Sequence, residues 1–498
     1  MGEVRFTAKE APSFKNKRLT GKWQCMGLSI PVYCLFSFCD DTQILVKGCV
    51  QVKLILLSGG SGKRLWPLSN DSRSKQFLKV LSGLAGEKES MVQRVWRQIG
   101  EVGLASHACI VTGNAQAEII HSQIGEQVPL IIEPERRDTF AAIVLAASYV
   151  NSVMGADPDE TIVVMPVDPY VELEFFATIQ RLDEVLQSTG SSLALIGAAP
   201  THPSEKYGYI LTEESTGEVR TVKRFAEKPK EAVARTFLEQ GALWNCGVFA
   251  GKLGFFMELL QNRGLPQEYI LLHKRYQDIP KNSFDYEVVE HLKDISVIPY
   301  TGYWKDLGTW NTLTEEMTES ISGKGVCSHD STNTHIVNEL DIPVAVLGAS
   351  NLIVAASPDG ILIADKEESP RIKEILTDDQ PRPMYVERYW GWYRVLEYGA
   401  NDRGDEVLVR RVCILAGKSL SYQLHKQREE VWTVTAGKGE VMLEDRRREV
   451  HVGDVIRIPQ GIRHSILAHH ELQMIETQIG SSLSETDIYR FEDPWKVE

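Results

Sequence analysis

The sequence lacks the features that mark membrane, secreted and nucleic-acid-binding proteins. No apolar run reaches the roughly 18 residues that a membrane span requires. The eight cysteines form neither a CxxC pair nor a regular framework, which favours reduced thiols inside a cell. There is no long basic block, and the net charge of -14 argues against a general nucleic-acid surface. We therefore expect a soluble, cytoplasmic protein without a membrane or nucleic-acid partner.

The chain is long enough, at 498 residues, for about two to four domains. Its first 51 residues differ from the rest, because four of the eight cysteines fall there without clear periodicity. These four are Cys25, Cys34, Cys39 and Cys49. We treat residues 1–51 as an N-terminal extension.

A glycine-rich, basic loop follows the first predicted buried strand. Residues 54–57 are purely apolar, as in a parallel strand covered on both faces. The loop residues predicted to bind a nucleotide are Ser58, Gly59, Gly60 and Gly62. Glycines let backbone N–H groups approach phosphate oxygens or a base edge, and Arg64 and Lys75 add positive charge. The loop is not a Walker A motif, because arginine follows Lys63 where serine or threonine is required. It predicts a nucleoside triphosphate site.

The segment GGSGKRLWPLSN, followed by SKQFL, resembles the signature of sugar-1-phosphate nucleotidyltransferases. Among these it is similar to the bacterial mannose-1-phosphate guanylyltransferases, or GDP-mannose pyrophosphorylases, whose usual forms are GGSGTRLWPLSR and PKQFL. The differences at Lys63, Asn70 and Ser74 leave the exact donor open. The resemblance extends over nearly all of residues 52–495.

Family members usually begin directly at the first strand, and this bears on the N-terminal extension. We therefore expect translation to start at Val52, through an alternative start codon. Peptides from residues 1–51 in mass spectrometry of the native protein would contradict this expectation.

Short apolar strands alternate with longer amphipathic stretches up to about residue 315. The predicted buried strands are Ala108–Thr112, Leu130–Ile132, Thr161–Pro166 and Ser192–Gly197. This order predicts a doubly wound, Rossmann-like α/β nucleotidyltransferase domain at residues 52–315. In such sheets ligands lie beyond the carboxyl ends of the strands.

The resemblance implies that catalysis depends on Arg64, Lys75, Asp168 and Asp306. Asp168, in MPVDPY, stands where the family has the aspartate of its PSDH motif, and Asp306, in WKDLGTW, matches WxDxGxW. Together these carboxylates would hold Mg²⁺, which neutralises phosphate oxygens. A lone aspartate at a strand end is more often a turn residue, but the paired motifs favour a metal site.

A further nucleotide contact is implied by EPERRDT, which matches the family motif EPxxRNT except for Asp138 in place of asparagine. Arg137 and Thr139 lie at the start of a predicted helix, whose N-terminus suits an anion. Simple capping of that helix by Asp138 or Thr139 is an equally good interpretation.

The segments KYGY, FAEKP and WNCGVF resemble the sugar-binding motifs of the family. They imply that Lys228 holds the sugar 1-phosphate. Glu227 and Asn245 would bond sugar hydroxyls, and Gly208 would let the backbone approach the substrate. Each motif is weak alone, but their order and spacing make the set specific.

Two further units are predicted after the transferase domain. Apolar pieces recur every eight to ten residues or so, which predicts a β-helix-like linker domain at 316–378. Residues 379–498 match both cupin motifs, with Gln423 in the place of the first histidine. The predicted ligands are Gln423, His425, Glu430 and His464. These would hold a divalent metal, Zn²⁺ or similar. A metal-free cupin used only for folding or dimerisation remains an alternative.

The C-terminal domain also resembles type II mannose-6-phosphate isomerases, through RYWG, LSYQLHKQREEVW and DIYR. Aldose–ketose isomerisation needs a base and a cation that holds the oxygens. Arg428 is a candidate phosphate contact. Lys426, Gln427 and Val431 replace histidines of the family, so isomerase activity stays open.

The resemblance implies transfer of GMP from GTP to mannose 1-phosphate, giving GDP-mannose and pyrophosphate, with Mg²⁺ as cofactor. Another sugar 1-phosphate or another NTP is an alternative within the same reaction. A catalytically silent sugar-nucleotide sensor is the alternative from a different class, although the intact Asp168, Asp306, Arg64 and Lys75 count against it. The sequence leaves a homodimer open.

Overall fold

A computed structural model describes residues 52–60, 63–214, 217–376 and 382–495 of the chain. The expectations about residues 1–51 and about Gly62 lie outside these residues. Within the described part, no helix is both long and apolar enough to cross a membrane.

The first region, up to residue 315, contains thirteen strands and nine α-helices among the described residues. The strands are β1 (Val52–Leu57), β2 (Leu81–Ser82), β3 (Lys88–Glu89), β4 (Ala108–Gly113), β5 (Leu130–Glu133), β6 (Thr161–Pro166), β7 (Pro169–Val171), β8 (Leu193–Ala198), β9 (Tyr209–Thr212), β10 (Arg220–Ala226), β11 (Leu243–Lys252), β12 (Ile295–Tyr300) and β13 (Trp304–Asp306). The helices are α1 (Met91–Glu101), α2 (Asn114–Ile124), α3 (Asp138–Ser152), α4 (Leu173–Gln180), α5 (Leu182–Thr189), α6 (Glu231–Glu239), α7 (Leu253–Gln261), α8 (Tyr269–Lys274) and α9 (Trp310–Glu315). Two 3₁₀ turns, Lys63–Leu65 and Lys75–Phe77, and a π-helix, Asp285–Val289, lie close to the site described below.

A nine-stranded sheet forms the centre of this region, in the order β5-β4-β1-β6-β11-β8-β12-β10-β9. Its strands read as apolar runs because both faces are covered: Ile55 packs in one core, and Leu54 and Leu56 pack in the other. The predicted α/β sheet is confirmed, and all four predicted buried strands are present. The sheet is mixed, however, because β11 runs antiparallel to both β6 and β8.

The parallel strands β5, β4, β1 and β6 end at the same edge of the sheet. Ser58 follows β1, Glu133 ends β5 and Asp168 follows β6. The functional motifs therefore converge at the carboxyl edge, as this topology requires.

A second region consists of short, mostly parallel strands stacked in coils. They are β14 (Ile321–Gly323), β15 (Gly325–Cys327), β16 (His335–Asn338), β17 (Val344–Val346), β18 (Leu352–Ser357) and β19 (Gly360–Asp365). β14, β16 and β18 pair in parallel, as do β15 and β17. Asn333 donates to the Oδ1 of Asn351 at 2.7 Å, which links equivalent corners of successive coils. This is the expected β-helical unit.

The β-helix shares a hydrophobic core with the transferase region. Trp310, fully buried on α9, packs in one cluster with Leu65 and with Ile353 of the β-helix. Its Nε1 donates to the Trp66 carbonyl at 3.0 Å. Nearby, Arg73 forms a two-pronged ion pair with Glu339, at 2.8 and 2.9 Å. The β-helix therefore supports the segment that contains the glycine-rich signature.

The third region is a β-sandwich that closes as a small barrel. Its strands are β20 (Tyr385–Arg388), β21 (Gly391–Ala400), β22 (Glu406–Ile414), β23 (Gln423–Leu424), β24 (Arg428–Ala436), β25 (Lys438–Leu443), β26 (Arg446–His451), β27 (Val455–Ile458), β28 (His464–Ala468), β29 (Leu472–Gly480) and β30 (Tyr489–Arg490). A six-stranded sheet, β20-β21-β22-β29-β24-β27, faces a five-stranded sheet, β26-β25-β28-β23-β30. Trp432 and Met474 lie in the core between them. The predicted cupin barrel is confirmed.

The shared core leads to a stability prediction. Trp310→Ala should destabilise the protein by roughly 3–5 kcal/mol, because it opens a cavity and leaves the Trp66 carbonyl without its donor. The urea midpoint of unfolding should fall accordingly. Leu347→Ala is the control, since Leu347 lies on the β-helix with 84% of its surface exposed. Equal midpoints for the two variants would contradict a supporting role for Trp310.

Candidate active site

A partly buried ammonium lies between two carboxylates at the carboxyl edge of the sheet. The Nζ of Lys75 is 2.7 Å from Asp168 Oδ2 and 3.0 Å from Asp306 Oδ1. The two aspartates are distant in sequence, but β7 and β13 pair antiparallel and place Asp306 opposite Pro169. The structure thus brings together three of the four residues predicted to be catalytic.

The charges of this group stabilise one another. Burial alone would raise the pKa of Asp306, but Lys75, then Arg64 and Lys206, outweigh it and lower that pKa. Burial opposes the charge on Lys75 too, yet the two aspartates raise its pKa above the ordinary value. Lys75 and Asp306 are therefore both ionised at neutral pH. The fourth predicted residue, Arg64, is exposed on its 3₁₀ turn.

A cavity of about 260 Å³ adjoins Lys75 and Asp168, and most of the predicted nucleotide-binding residues line it. Its lining includes Ser58, Gly59, Gly60, Lys75, Glu133, Arg136, Arg137, Thr139, Pro166 and Asp168. Two buried glutamines fix the glycine loop in place. Gln76 donates to the Ser58 carbonyl at 3.2 Å, and Gln116 of α2 donates to the Gly60 carbonyl at 3.3 Å. The Ser58 N–H is held as well, since it donates to the Val111 carbonyl at 2.9 Å.

Gly59 is required by a close approach within this cavity. A Cβ atom at this position would lie 2.9 Å from the Oε2 of Glu133. The Tyr276 hydroxyl donates to that carboxylate at 2.5 Å and so fixes it. Burial raises the pKa of Glu133, although the Tyr276 bond offsets part of the effect.

Arg137 and Thr139 line the cavity but also make structural contacts. Arg137 pairs with Glu135 at 2.6 Å, and its Nε donates to the Ile279 carbonyl at 2.8 Å. The Thr139 hydroxyl accepts from the Phe284 N–H at 2.8 Å. α3 has Arg137 as its N-cap, with no capping side-chain bond. Asp138 Oδ1 does accept from the Thr139 N–H at 2.8 Å, so capping by Asp138 stays an alternative interpretation.

A second cavity, of about 210 Å³, meets the first at Pro166 and Asp168 and contains three of the four predicted sugar-binding residues, Gly208, Glu227 and Asn245. A Cβ on Gly208 would approach Glu227 Oε2 to 2.5 Å, so only glycine fits there. Lys228, the fourth, has a left-handed φ of 46° and its ammonium pairs with Glu227.

Asp285, on the π-helix, lines the second cavity and was not found by sequence reasoning. It accepts a bond from Asn245 Nδ2 at 2.7 Å, while Asn245 Oδ1 accepts from the Gly247 N–H at 3.0 Å. Burial, then the charge of Glu227, raises the pKa of Asp285 to about 7. No quoted motif contains Asp285, and only its contact with Asn245 identifies it.

The departures within the glycine-rich signature, Lys63, Asn70 and Ser74, lie outside the linings of both cavities. Asn70 donates to Asp359 of the β-helix at 2.7 Å, and its Oδ1 accepts from the Arg73 N–H at 2.8 Å. The Ser74 hydroxyl accepts from Gln116, which also holds the glycine loop. These two replacements therefore serve the packing behind the loop. Gln116 is a second residue that no sequence motif had indicated.

The barrel holds a separate candidate metal centre. One ligand atom each from His425, Glu430 and His464 lies within 4.8 Å of the others, and all three residues are buried. The Nδ1 of His425 donates to the Asp487 carbonyl, and that of His464 to the Ile462 carbonyl, both at 2.9 Å. Each Nε2 then faces the centre with its lone pair, as metal binding requires. The Nε2 of His464 is buried with no hydrogen-bond partner among the described residues, which fits a metal.

One amide side chain, Gln423, and one basic side chain, Arg428, also lie at this centre. Gln423 Nε2 is 3.3 Å from His425 Nε2, while its Oε1 accepts from the Ser421 hydroxyl at 2.7 Å. Arg428 donates to Glu430 Oε1 at 3.2 Å, and its Nη2 is 3.3 Å from His425 Nε2. The buried guanidinium of Arg428 thus neutralises Glu430. Burial, then the charge of Arg428, lowers the pKa of His425 to about 4.

Three family models match consecutive parts of the chain. The Nucleotidyl transferase model matches residues 53–322, and the MannoseP isomerase/GMP-like beta-helix domain model matches residues 326–378. The Mannose-6-phosphate isomerase C-terminal model matches residues 378–493. The matched parts follow the three regions of the fold.

Known proteins resemble the chain over most of its length. The xanthan biosynthesis protein XanB of Xanthomonas campestris pv. campestris is 31% identical over 480 residues, which are 89% of this chain and 98% of that protein. The mannose-1-phosphate guanylyltransferase RfbM of Salmonella typhimurium is 27% identical over 477 residues, or 88% of this chain and 96% of that protein.

A solved structure resembles the fold. It is described as mannose-1-phosphate geranyltransferase from Thermus thermophilus, with a TM-score of 0.56 and 28% identity, covering 65% of this chain and 98% of that one. The resemblance inferred from the motifs is confirmed. The chain belongs to the mannose-1-phosphate guanylyltransferases of the nucleotidyl transferase family, and it carries both the β-helix and the mannose-6-phosphate isomerase C-terminal domain.

Proposed function

We propose that the protein transfers GMP from GTP to mannose 1-phosphate, giving GDP-mannose and pyrophosphate. The carrying observation is the Asp168–Lys75–Asp306 group, which lies where two cavities meet. A nucleotide in the first cavity and a sugar phosphate in the second would meet at Asp168. The identity of base and sugar rests on what the relatives are named for.

In this mechanism, an oxygen of the sugar 1-phosphate attacks the α-phosphorus of GTP. The new P–O bond forms as the bond to the β-phosphate oxygen breaks, and pyrophosphate leaves with the electron pair. Lys75 neutralises the α-phosphate, and Arg64 adds charge at the mouth of the site. Asn245, held by Asp285, and Glu227 orient the sugar. Positioning and charge neutralisation suffice, without a covalent enzyme intermediate.

Asp168 and Asp306 fit a magnesium ion. Both present hard oxygen ligands at one point, where a cation, the Lys75 ammonium, is already accommodated. Proteins commonly bind Mg²⁺ through one or two carboxylates plus substrate phosphates. When bound, the ion would neutralise charge on the phosphate oxygens.

We further propose the domain division at residues 52–315, 316–378 and 379–498. It is supported by the three separate sets of sheets and by the limits of the three family models.

The first test is pyrophosphate release by the full-length protein with Mg²⁺, for each NTP paired with mannose 1-phosphate and with other sugar 1-phosphates. We expect selective release with GTP and mannose 1-phosphate. Selective release with another pair would keep the mechanism and change the substrates. Nucleotide binding without release for any pair would favour a sensor.

Changes in the charged group should abolish turnover without unfolding the protein. We expect Asp168→Asn and Lys75→Ala each to lower kcat about 100-fold or more, because each removes charge stabilisation at the reacting phosphate. Asp159→Asn, a change at an exposed loop residue, is the matched control. Circular dichroism and the unfolding midpoint should match the wild type, and retained turnover in either active-site variant would refute the assigned role.

A second function, mannose-6-phosphate isomerisation, is favoured by the His425, Glu430 and His464 centre. When bound there, a divalent metal would hold the sugar oxygens during proton transfer between adjacent carbons. Arg428 donates hydrogen bonds to Glu430 and to the Ser484 carbonyl, at 3.2 Å each. Its expected contact with the substrate phosphate therefore stays a prediction.

This second function predicts a metal-dependent activity confined to the barrel. His464→Ala should weaken Zn²⁺ binding by more than about 100-fold, since even outer contacts of a metal site are worth 10–100-fold. Isomerase activity should be lost, while guanylyl transfer persists. His469→Ala is the control, because His469 is exposed and bonds Glu440. Elemental analysis showing equal zinc in both variants would contradict the assignment.

A further inference from the structure

Two 3₁₀ turns from different regions pack against each other beside the active site. The turn Lys63–Leu65 belongs to the glycine-rich signature, and the turn Ser369–Glu374 follows the last strand of the β-helix. Leu65 is fully buried and Ile372 is 4% exposed, and both lie in the core cluster around Trp310. Arg64 and Lys373 adjoin these two anchors in sequence, so the packing holds their backbones close together.

The contact concentrates positive charge. Lys63, Arg64 and Lys373 form no ion pair with a carboxylate in the described ranges. Burial, then the charges of Arg64 and Lys63, lowers the pKa of Lys373, so these cations lie near enough to repel one another. By contrast, Arg371 in the same turn is neutralised by Glu368 at 2.6 Å and Glu374 at 3.1 Å. Arg64 and Lys373 are exposed, so an anion from solvent can reach them.

The cluster also lies within reach of the reaction centre. The turn Lys63–Leu65, which contains Arg64, begins three residues after Gly60 of the nucleotide cavity. Lys206, which lines the sugar cavity, has its pKa lowered by burial and then by the same Arg64. A chain of phosphates that begins where the two cavities meet would therefore reach these three cations.

We propose that Lys373, together with Lys63 and Arg64, binds the β- and γ-phosphates of the nucleotide and the pyrophosphate that leaves. This inference rests on the proposed function, and it places a residue of the β-helix in the transferase site. When the α-phosphate bond breaks, the leaving group takes the electron pair and gains negative charge. Cations fixed at that position stabilise the product more than the substrate. The β-helix thereby becomes part of the substrate site.

The test compares Lys373→Ala with Arg371→Ala, the matched control from the same turn. In Lys373→Ala, we expect KM for GTP, and KM for pyrophosphate in the reverse reaction, to rise about tenfold, the value of one charge-assisted contact. KM for mannose 1-phosphate should not change. Lys373→Arg should restore most of the loss, and Lys63→Thr should add to it. Identical GTP and pyrophosphate kinetics in Lys373→Ala and Arg371→Ala would overturn the proposal.

Direct binding separates this inference from the proposed function. Titration calorimetry with inorganic pyrophosphate and Mg²⁺ should show about tenfold weaker binding to Lys373→Ala than to Arg371→Ala. That difference in a protein without turnover would support the cluster and contradict guanylyl transfer. Equal pyrophosphate affinities would overturn the cluster whether or not the wild type turns over. Orthophosphate binding that falls equally, with GTP kinetics unchanged, would indicate a general anion site and also overturn it.

Discussion

Two carboxylates share one ammonium at the edge of the sheet, and the surrounding structure depends on this contact. Asp168 and Asp306 would repel each other if Lys75 did not lie between them at 2.7 and 3.0 Å. The same three charges suit the proposed substrates, because a cation can bind the carboxylates while a phosphate binds the ammonium. When ligands bind, the contacts between Lys75 and the two aspartates can be replaced by contacts with a metal ion and a phosphate, and no charge is left unpaired. This explains why three partly buried charges are tolerated at the meeting point of two cavities.

Lys75 is held in place by structure that lies outside the sheet. The 3₁₀ turn containing it is followed by Leu78, which packs in the core shared with the β-helix, and α9 follows Asp306 with the buried Trp310 in the same core. A single hydrophobic cluster thus fixes the backbone next to Lys75 and the backbone next to Asp306. The β-helix therefore helps to position Lys75 and Asp306 through this shared core, in addition to any contact that its own cations make with a ligand.

Sequence reasoning found the residues that belong to local motifs and missed those that act across the fold. The glycine loop could be predicted because Arg64 and Lys75 follow it, which distinguishes it from the glycine turns that commonly follow strands. Gln116 and Asp285 could not. Each lies in a segment without a motif and acquires its position from a tertiary contact, with the Gly60 carbonyl or with Asn245. The strand β11 shows the same limit, since nothing in its apolar run indicates that it enters the sheet antiparallel between β6 and β8. Strand direction depends on how the chain returns to the sheet, which periodicity does not encode.

In both candidate metal sites, a carboxylate that would ligate a metal already bonds a basic side chain. Asp306 bonds the partly buried Lys75, and Glu430 bonds the buried Arg428. Such pairing lowers the cost of burying the carboxylate. A metal must then compete with, or displace, the basic group. Substrate phosphate can stabilise a displaced Lys75, since it supplies new negative charge at the same point. Arg428 is enclosed by Glu430 and the Ser484 carbonyl, so a metal in the barrel has to share Glu430 with a guanidinium that stays in place.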